Sequence, residues 1–319
     1  MARTVIARQY GGIADLELAE LPEAPLEAGQ VRIAVRAAAA NPADLKRLRG
    51  EFGRNEKSLP LRLGSEVSGV VTEVSEDAAG PAGPIAVGDE AVGYPVSGGF
   101  AAEIVAKAQS VLPKPASLGW SQAAGLLLGA VTAYHLVEAA SVGKGDRVIV
   151  HGASGAVGSA AVQLSLLRGA EVFGTVSAGR EDALRALGAV PVLYGPGLEQ
   201  RLRELLSDGA DAALDTVGSD EALDASVALV RDRNRVVTVA GFARAAELGI
   251  RLLGSGPGAD PGTALRSEAR LPMLQLAGEG KLIGPPVIEF PLERVREALT
   301  LVASGHAGGK VVLLPEVAD

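Results

Sequence analysis

The chain has 319 residues, of which 48% are hydrophobic and 21% charged, and its formal net charge is −8. This length allows two domains with sizeable cores, and an acidic chain lacks the basic stripe that a nucleic-acid-binding surface requires. Cysteine is absent and only three histidines are present, which excludes disulfides and thiolate metal sites and argues against a histidine-rich metal site. The N-terminal segment MARTVIARQYGG has no apolar core of signal-peptide length, and the most apolar run, Ala123–Ala133, is too short to span a membrane. We therefore expect a cytoplasmic protein without membrane or nucleic-acid partners.

The first 115 residues or so have the pattern of a β-rich domain. Apolar and polar residues alternate, or β-branched residues cluster, in the segments 4–8, 30–36, 67–74 and 104–106. Turn residues are frequent between these segments, and Asn41-Pro42 is typical of a helix start. Short strands at close spacing predict a partly open barrel.

The pattern changes after Pro115, and strands then alternate with helices. The predicted strands are 147–150, 171–176, 190–193, 211–215 and 235–240, and the predicted helices are 156–168, 180–187, 197–207 and 219–231. Such alternation predicts a parallel sheet with helices on both faces. The remaining residues return to a mixed pattern, with helices at 264–279 and 292–304, a strand near Val287 and a final strand at Lys310–Leu314.

A glycine-rich turn follows the first of these strands. The strand Arg147–Val150 leads into Gly152, Gly155 and Gly158, and an apolar helix-forming run comes next. A strand, a glycine-rich turn and a helix N-terminus together form the dinucleotide-binding arrangement, in which backbone N–H groups meet a pyrophosphate. Ala153 occupies the place of the first glycine in the usual G-x-G-x-x-G pattern.

The end of the second strand selects the cofactor in such a domain. An acidic residue there favours NAD, whereas a small polar residue with a nearby cation accommodates the 2′-phosphate of NADP. Here Glu171–Val176 is followed by Ser177 and Arg180, with no acid at the tip. This pattern predicts NADPH, with Ser177 donating to the phosphate and Arg180 pairing with it. The alternative is that Arg180 is a solvated residue in the first turn of a helix.

The motifs of the whole chain, in their order and spacing, resemble those of a zinc-independent medium-chain dehydrogenase/reductase of the quinone oxidoreductase (ζ-crystallin-like) branch. The matching segments are Asn41–Asp44, Leu63–Val71, Val87–Gly93, Gly99–Glu103, Thr132–Tyr134, His151–Gly158, Asp215–Gly218 and Gly305–Val312. The resemblance implies an α/β fold, with a Rossmann doubly wound parallel sheet plus a GroES-like β-barrel catalytic domain. The expected boundaries are 1–121 for the first part of the catalytic domain, 122–256 for the NADP-binding domain and 257–319 for the return segment. The resemblance also implies a homodimer in which the two copies pair through the edge strand of the Rossmann sheet, and we expect this strand at Gly249–Leu253.

Two departures from the zinc-dependent relatives bear on the chemistry. Those relatives use cysteines and a Gly-His-Glu segment for catalytic zinc, whereas this chain has Gly64-Ser65-Glu66 and no cysteine, so we expect no metal. The second departure is at Lys46. Relatives that reduce alkenals and enones have a lysine at this place, whereas bacterial quinone reductases commonly have a tyrosine there. Lys46 therefore favours an enone or alkenal substrate.

The resemblance and the residue chemistry together nominate the site residues. Asn41, Lys46 and Thr132 are the catalytic candidates, with simpler alternatives as a helix cap, an exposed helix lysine and a helix threonine bonded to its own backbone. The cofactor-binding candidates are Ala153, Ser154, Gly155, Ala156, Val157, Thr175, Ser177, Arg180, Tyr194, Ala240, Gly241, Phe242, Leu253, Ser255 and Lys310. For Lys310 the alternative is a surface lysine at a strand end. His151 and Glu66 are interpreted as a satisfied core histidine and an ion-paired structural residue.

These features predict an NADPH-dependent oxidoreductase acting on a small electrophilic substrate. Without metal, hydride addition to a quinone or to the β-carbon of an α,β-unsaturated carbonyl places negative charge on an oxygen, which a donor must stabilise. Two alternatives stay open: a crystallin-like protein that binds the cofactor without turnover, and an enoyl-thioester reductase.

Overall fold

The computed structural model describes residues 1–315 and divides into two compact units. Within the described residues, the first comprises 1–128, 274–279 and 286–315, and the second comprises 129–273 and 280–285. Residues 122–128 thus cluster with the first unit and residues 257–273 with the second.

The strands are, in chain order, β1 (Ala2–Ala7), β2 (Leu16–Leu21), β3 (Gln30–Ala39), β4 (Leu61–Arg62), β5 (Val67–Val74), β6 (Ala79–Gly80), β7 (Gly83–Pro84), β8 (Glu90–Gly93), β9 (Glu103–Lys107), β10 (Val111–Pro113), β11 (Arg147–His151), β12 (Glu171–Val176), β13 (Val190–Leu193), β14 (Ala212–Asp215), β15 (Val236–Thr238), β16 (Arg251–Leu252), β17 (Val287–Pro291) and β18 (Lys310–Leu314).

The α-helices are α1 (Pro42–Arg49), α2 (Trp120–Ala124), α3 (Leu127–Ala139), α4 (Ala156–Leu167), α5 (Glu181–Ala186), α6 (Leu198–Leu205), α7 (Asp220–Leu229), α8 (Ala245–Leu248), α9 (Thr263–Gly278) and α10 (Val295–Ala303). Short 3-10 helices lie at Ile13–Asp15, Glu56–Ser58, Ala108–Ser110, Arg233–Arg235 and Leu292–Arg294. Within residues 1–315 no helix combines the length and the apolar character that crossing a membrane requires.

The long strand β3 organises the first unit. It pairs antiparallel with β5, β9 and β18, and its register against β5 shifts at Arg32/Ile33 and at Val35/Ala37. Such bulges bend a strand, so one half of β3 pairs with β9 while its end pairs with β18. The sheet runs in the order β10-β8-β5-β3-β18-β17, and a smaller sheet has the order β2-β1-β4. The C-terminal strand β18, at its predicted bounds, thereby completes a sheet that is otherwise built largely from the first 115 residues.

The second unit contains a parallel sheet in the order β13-β12-β11-β14-β15-β16. In sequence terms this is the strand order 3-2-1-4-5-6 of the doubly wound dinucleotide-binding fold, so the predicted fold class is confirmed. The strand order reverses between β11 and β14, whose last paired residues are His151 and Asp215. Ligands of such sheets bind outside the carboxyl ends of the strands at this reversal.

Burial explains which elements the sequence pattern located well. β12 and β13 have the predicted bounds, and their apolar residues Phe173 and Val192 are buried in the core of the second unit. The helices end one or two residues earlier than predicted, and the final predicted helix begins as a 3-10 turn before α10. The predicted edge strand Gly249–Leu253 is shorter, since only Arg251 and Leu252 pair with β15. β2 was not predicted, although its alternation is regular along LELAEL.

Candidate functional site

The glycine-rich turn lies at the carboxyl end of β11 and leads directly into α4. Gly155 is the N-cap of α4, and the first N–H groups of a helix, from Ala156 onward, have no intrahelical partner. A Cβ on Gly158 would lie 2.1 Å from the carbonyl oxygen of Gly152, so only glycine allows the helix to pack this closely on the turn. Beside Gly155 the same Cβ would meet nothing nearer than 3.4 Å. Ala153 is buried, whereas Ser154 is exposed. The turn and the helix N-terminus thus fit a pyrophosphate.

A buried polar network supports this turn from below. His151 is fully buried; its Nδ1 lies 3.3 Å from the hydroxyl of Thr175 and its Nε2 lies 3.0 Å from that of Ser226. The Ser226 hydroxyl donates to the Ala222 carbonyl, so it accepts from Nε2–H, and the Thr175 hydroxyl then donates to Nδ1. Thr175 in turn accepts the Gly152 N–H at 3.2 Å. Burial lowers the pKa of His151, with a smaller opposing effect of Asp215, so the ring is neutral and its interpretation as a satisfied core histidine agrees with the structure.

The residues nominated for the 2′-phosphate follow neighbouring strands. Val176 on β12 pairs with Leu193 on β13, so Ser177 and Tyr194 come directly after paired residues, and the Tyr194 N–H donates to the Val176 carbonyl at 3.1 Å. Arg180 is the N-cap of α5, one residue before the helix rather than in its first turn. The described structure therefore places Ser177, Arg180 and Tyr194 at the same edge of the sheet.

A second network orders the turns after β14 and β15. Asp215 is fully buried, and its carboxylate accepts the N–H groups of Val217 and Gly218 and the hydroxyl of Thr238. Thr238 accepts the N–H groups of Ala240 and Gly241 at 3.0 and 2.7 Å. The link between Asp215 and Thr238 was not predicted from the sequence. The signal that points to Asp215 is an acidic residue at the end of an apolar strand.

Phe242 and Leu253 lie beside these turns. The ring of Phe242 packs on Gly256, where a Cβ would lie 2.1 Å from ring carbon Cε1. The whole of Leu253, backbone included, is buried, and its N–H donates to the Thr238 carbonyl at 2.9 Å, so it presents no accessible group to a ligand, whereas Ser255 is exposed. Thr132 on α3 is 7% exposed, and its hydroxyl has no hydrogen-bond partner within residues 1–315, so the backbone-bonded alternative is not observed.

The position of α3 relates Thr132 to the glycine-rich turn. A Cβ on Gly129 would lie 3.2 Å from the carbonyl oxygen of Ala156, so α3 approaches the start of α4 closely there. Residues three apart share a helix face, which places Thr132 on the same side of α3 as Gly129.

The first unit contains a buried charged cluster formed by Asn41, Glu66 and Lys310. Glu66 is 0% exposed, and its Oε1 accepts from Lys310 Nζ at 2.8 Å and from the Asn41 amide at 3.2 Å. Lys310 also donates to the side-chain amide oxygen Oδ1 of Asn41, and Glu66 Oε2 accepts the Leu128 N–H at 2.9 Å. Lys310 is 5% exposed, so it is not a surface lysine. The second amide N–H of Asn41 donates to the Ala39 carbonyl, so both amide hydrogens are used within the unit.

Asp44 lies beside this cluster and performs the capping role at the start of α1. Its carboxylate accepts the N–H groups of Asn41 at 2.9 Å and Gly64 at 3.0 Å. Burial raises the pKa of Asp44 to about 6, against the opposing effect of these two hydrogen bonds and of Lys310. Lys46, on the same helix, is partly exposed and lies outside the fully buried cluster.

Ser65 occupies the position at which the resemblance places a zinc-ligating histidine. Its Oγ is buried and lacks a hydrogen-bond partner within the described residues. A hydroxyl is a poor substitute for imidazole as a zinc ligand, and the sequence contains no cysteine.

Two family models match consecutive parts of the chain. Residues 27–144 match the alcohol dehydrogenase GroES-like domain, and residues 156–256 match the zinc-binding dehydrogenase model.

Among curated proteins, the chain is 36% identical over 323 residues to the spectinabilin polyketide synthase system protein NorB of Streptomyces orinoci, covering 95% of this chain and 14% of NorB. It therefore spans a small part of the length of such synthases. It is 31% identical over 315 residues to the 2-methylene-furan-3-one reductase of Solanum lycopersicum, covering 96% of this chain and 77% of that protein.

Solved structures match the whole fold. The chain is 28% identical to an NAD-dependent alcohol dehydrogenase, with a TM-score of 0.84 and coverage of 98% and 99% of the two chains. It is 25% identical to the CurK enoyl reductase, with a TM-score of 0.85 and 99% coverage of both chains. The quinone oxidoreductase from Coxiella burnetii is 26% identical, with a TM-score of 0.81 and coverage of 98% and 99%. The fold, the matched models and these identities together show that the chain belongs to the medium-chain dehydrogenase/reductase family of NAD(P)-dependent oxidoreductases.

Proposed function

We propose that this protein is an NADPH-dependent, zinc-independent reductase of a carbon–carbon double bond conjugated to a carbonyl group. The observation that carries the proposal is the set of residues at the carboxyl ends of the strands in the parallel sheet. There the turn 152–158 and the residues Ser177, Arg180 and Tyr194 follow the carboxyl ends of adjacent strands. The identity to the 2-methylene-furan-3-one reductase supports the substrate class.

The choice of NADPH over NADH rests on charge at this edge. β12 is followed by Ser177 rather than by an acid, so no carboxylate at the strand tip accepts from a ribose 2′-hydroxyl or repels a 2′-phosphate. Arg180 supplies a cation, and Tyr194, which is 49% exposed and follows the neighbouring strand β13, supplies a phenolic hydroxyl. In this assignment Ala153 to Val157 hold the pyrophosphate, and Thr175 supports them through Gly152. Ala240 to Phe242, with Ser255, hold the nicotinamide portion, and the buried Leu253 supports them through its hydrogen bond to Thr238.

The absence of zinc in the proposal rests on ligand chemistry. A matched family model carries the name zinc-binding dehydrogenase, yet the sequence lacks cysteine and has Ser65 in the Gly64-Ser65-Glu66 segment. Zinc in proteins is bound by thiolate, imidazole and carboxylate, so the protein itself must stabilise the developing oxyanion.

When bound, NADPH supplies a hydride that bonds to the β-carbon of the substrate. The C=C electron pair then moves to the carbonyl oxygen as an enolate, and a proton adds to the α-carbon from solvent or from an acid. We assign stabilisation of that oxygen to the Lys46 ammonium group and contact with the nicotinamide to the Thr132 hydroxyl, which is unpartnered within residues 1–315. Lys310 retains one ammonium N–H beyond its bonds to Asn41 and Glu66, and we assign it to the cofactor. The Asn41 amide hydrogens are used within its cluster, so we assign Asn41 a positioning role.

Two further substrate classes have specific support. The similarity to the quinone oxidoreductase favours a quinone as hydride acceptor. The similarities to the CurK enoyl reductase and to NorB favour an enoyl thioester. All three acceptors place a negative charge on a carbonyl oxygen, so the same donor chemistry serves each of them.

We also propose that two copies pair through the parallel sheet. The short strand β16 lies at the end of that sheet and has one strand neighbour. On the other side of β16, the Asp260 N–H donates to the Leu252 carbonyl at 2.9 Å and the Asp260 carbonyl accepts the Gly254 N–H at 2.8 Å. A second copy that adds a strand there must therefore compete with Asp260 for the outer edge of β16. Sedimentation analysis of the protein tests the proposal: we expect a dimer, and a monomer would contradict it.

The function is tested by measuring NADPH binding calorimetrically and then turnover with a simple enone, 1,4-benzoquinone, 9,10-phenanthrenequinone and crotonyl-CoA. We expect NADPH binding and the highest kcat/KM with the enone. Absence of NADPH binding would overturn the proposal, and binding without turnover of any acceptor would establish the crystallin-like alternative. A higher kcat/KM with a quinone or crotonyl-CoA would identify the corresponding substrate class instead.

A further inference from the structure

The turn that carries Tyr194 is intrinsically flexible by sequence. It comprises residues 193–197, and Gly195 and Gly197 have φ angles of +97° and +86°. Glycine loses more backbone entropy on ordering than any other residue, so a glycine-rich turn adopts one conformation only when other groups hold it. The Tyr194 hydroxyl itself has no hydrogen-bond partner within residues 1–315, so the direction of its side chain depends on the backbone of the turn.

Arg201 on α6 supplies the contacts that hold this turn. Its Nε donates to the Leu193 carbonyl at 3.0 Å, its Nη1 to the Pro196 carbonyl at 2.9 Å and its Nη2 to the Gly195 carbonyl at 2.7 Å. All three guanidinium nitrogens therefore bind carbonyls of one turn, on both sides of Tyr194. Hydrogen bonds from a charged donor are stronger than neutral ones.

A second residue fixes the turn from α7. The Glu221 carboxylate accepts the Gly195 N–H at 2.9 Å, and the Tyr194 N–H is bound to Val176 at the end of β12. Arg201 thus binds the carbonyls of Leu193, Gly195 and Pro196, while Glu221 and Val176 bind the N–H groups of Gly195 and Tyr194, and these contacts together restrain the turn.

We propose that Arg201 is a positioning residue that determines cofactor specificity, because it holds Tyr194 where its hydroxyl meets the adenosine 2′-phosphate of NADPH. This inference rests on the proposed preference for NADPH. Because Arg201 acts through the turn, its loss weakens the binding of NADPH, which has the 2′-phosphate, and leaves the binding of NADH nearly unchanged.

Lysine is the informative substitution at this position. A lysine keeps the positive charge but presents one ammonium group, which cannot reproduce the planar fork that spans three carbonyls. Arg203 is the matched control, since it lies on the same helix and pairs with Glu199 at 2.8 Å on an exposed face. Arg203→Ala removes an arginine from α6 without touching the turn.

The test compares dissociation constants for NADPH and NADH in Arg201→Lys, Arg201→Ala and Arg203→Ala. We expect both Arg201 variants to lose about tenfold in NADPH affinity, the equivalent of one or two hydrogen bonds, and less than about threefold in NADH affinity. Arg203→Ala should match the wild type. The inference would be overturned if Arg201→Lys bound NADPH as tightly as the wild type does, or if the variants lost affinity for NADPH and NADH equally.

Two further measurements separate this inference from the function on which it rests. In the double variant Tyr194→Phe/Arg201→Ala the losses should not add, because both act on one contact; full additivity counts against the proposal. Amide hydrogen exchange of residues 194–195 without cofactor should accelerate in both Arg201 variants and not in Arg203→Ala. If the wild type fails to bind NADPH, the proposed function fails, while unchanged exchange in the Arg201 variants shows that Arg201 does not hold the turn.

Discussion

The imidazole of His151 lies 3.3 Å from the Thr175 hydroxyl, and that hydroxyl accepts the N–H of Gly152, the first glycine of the cofactor turn. A buried, neutral histidine therefore supports the backbone of Gly152, which has no side chain of its own to hold it. The arrangement requires the uncharged ring, because Nδ1 must accept a hydrogen bond.

Acid should weaken the folded state through His151. Burial lowers the pKa of the ring below its usual 6.5, so below about pH 6.5 the unfolded chain takes up a proton that the folded protein excludes. Stability should fall with decreasing pH by at most about 1.4 kcal/mol per pH unit from this group. Denaturant unfolding at pH 7.5 and pH 5.5 should show a larger loss for the wild type than for His151→Gln, which cannot titrate.

The comparison with His151→Gln is necessary because Asp44 acts in the opposite direction. Its raised pKa, about 6, lets the folded protein bind a proton before the unfolded chain does, so its contribution to stability falls as the pH rises toward 6. Both proteins contain Asp44, and its effect cancels in the difference. Identical pH profiles for the two proteins would refute the role of His151.

Gly158→Ala should abolish binding of NADPH and NADH alike. The added Cβ would lie 2.1 Å from the Gly152 carbonyl oxygen, so α4 must move away from the turn to which we assign the pyrophosphate. Calorimetry with each cofactor measures the loss. Gly284→Ala is the matched control in the same unit, since a Cβ there meets nothing within 4 Å and binding should be unchanged. Wild-type affinity in Gly158→Ala would remove the turn from the cofactor site.

Arg180→Ala should weaken the binding of NADPH much more than the binding of NADH. A charge-assisted contact with a phosphate contributes on the order of 2 kcal/mol, so we expect the dissociation constant for NADPH to rise by about 10- to 100-fold. Arg185→Ala is the control, because this exposed arginine of α5 pairs with Asp182 instead. Equal losses for both cofactors would exclude a role for Arg180 at the 2′-phosphate.

Glu66→Gln should strongly destabilise the first unit. The substitution leaves the buried Lys310 ammonium without its carboxylate, and breaking a buried ion pair costs about 3–5 kcal/mol. The double variant Glu66→Gln/Lys310→Met removes both charges and should regain much of the loss in chemical denaturation. Glu297→Gln breaks an exposed pair with Arg294 and should have no measurable effect. A single variant as stable as the wild type would contradict the importance of this buried pair.

Lys46→Ala should lower kcat/KM for the enone by tenfold or more while the dissociation constant for NADPH stays unchanged. The expected loss is that of one charged donor to a developing oxyanion, about 2–4 kcal/mol. Arg47→Ala, at the exposed neighbouring position of α1, serves as the control. Unchanged steady-state kinetics in Lys46→Ala would establish the simpler alternative of a helix surface lysine.

Much of the fold was predictable because local patterns and tertiary burial agree. β12, β13 and β18 have their predicted bounds, since each is an apolar run flanked by turn residues. β16 was predicted too long because two residues suffice for its pairing with β15. Lys310 was compatible with a surface position and with a buried one, and only its burial in the structure distinguishes them, which no local pattern specifies. Thr132 was compatible with a hydrogen bond to its own helix, and only the structure shows that its hydroxyl makes none within residues 1–315.

The sequence by itself determined the cofactor turn, the alternation that produces the parallel sheet and the chemistry that excludes thiolate metal ligands, because these follow from residue type and short-range spacing. Only the tertiary structure decided that Asn41, Glu66 and Lys310 form one buried cluster, and that Arg201 holds the turn of Tyr194. The cluster unites residues up to 269 positions apart, and its stability depends on burial and on the pairing of charges. Arg201 lies only seven residues after Tyr194, yet its contacts depend on the direction in which α6 leaves the turn, which spacing does not specify.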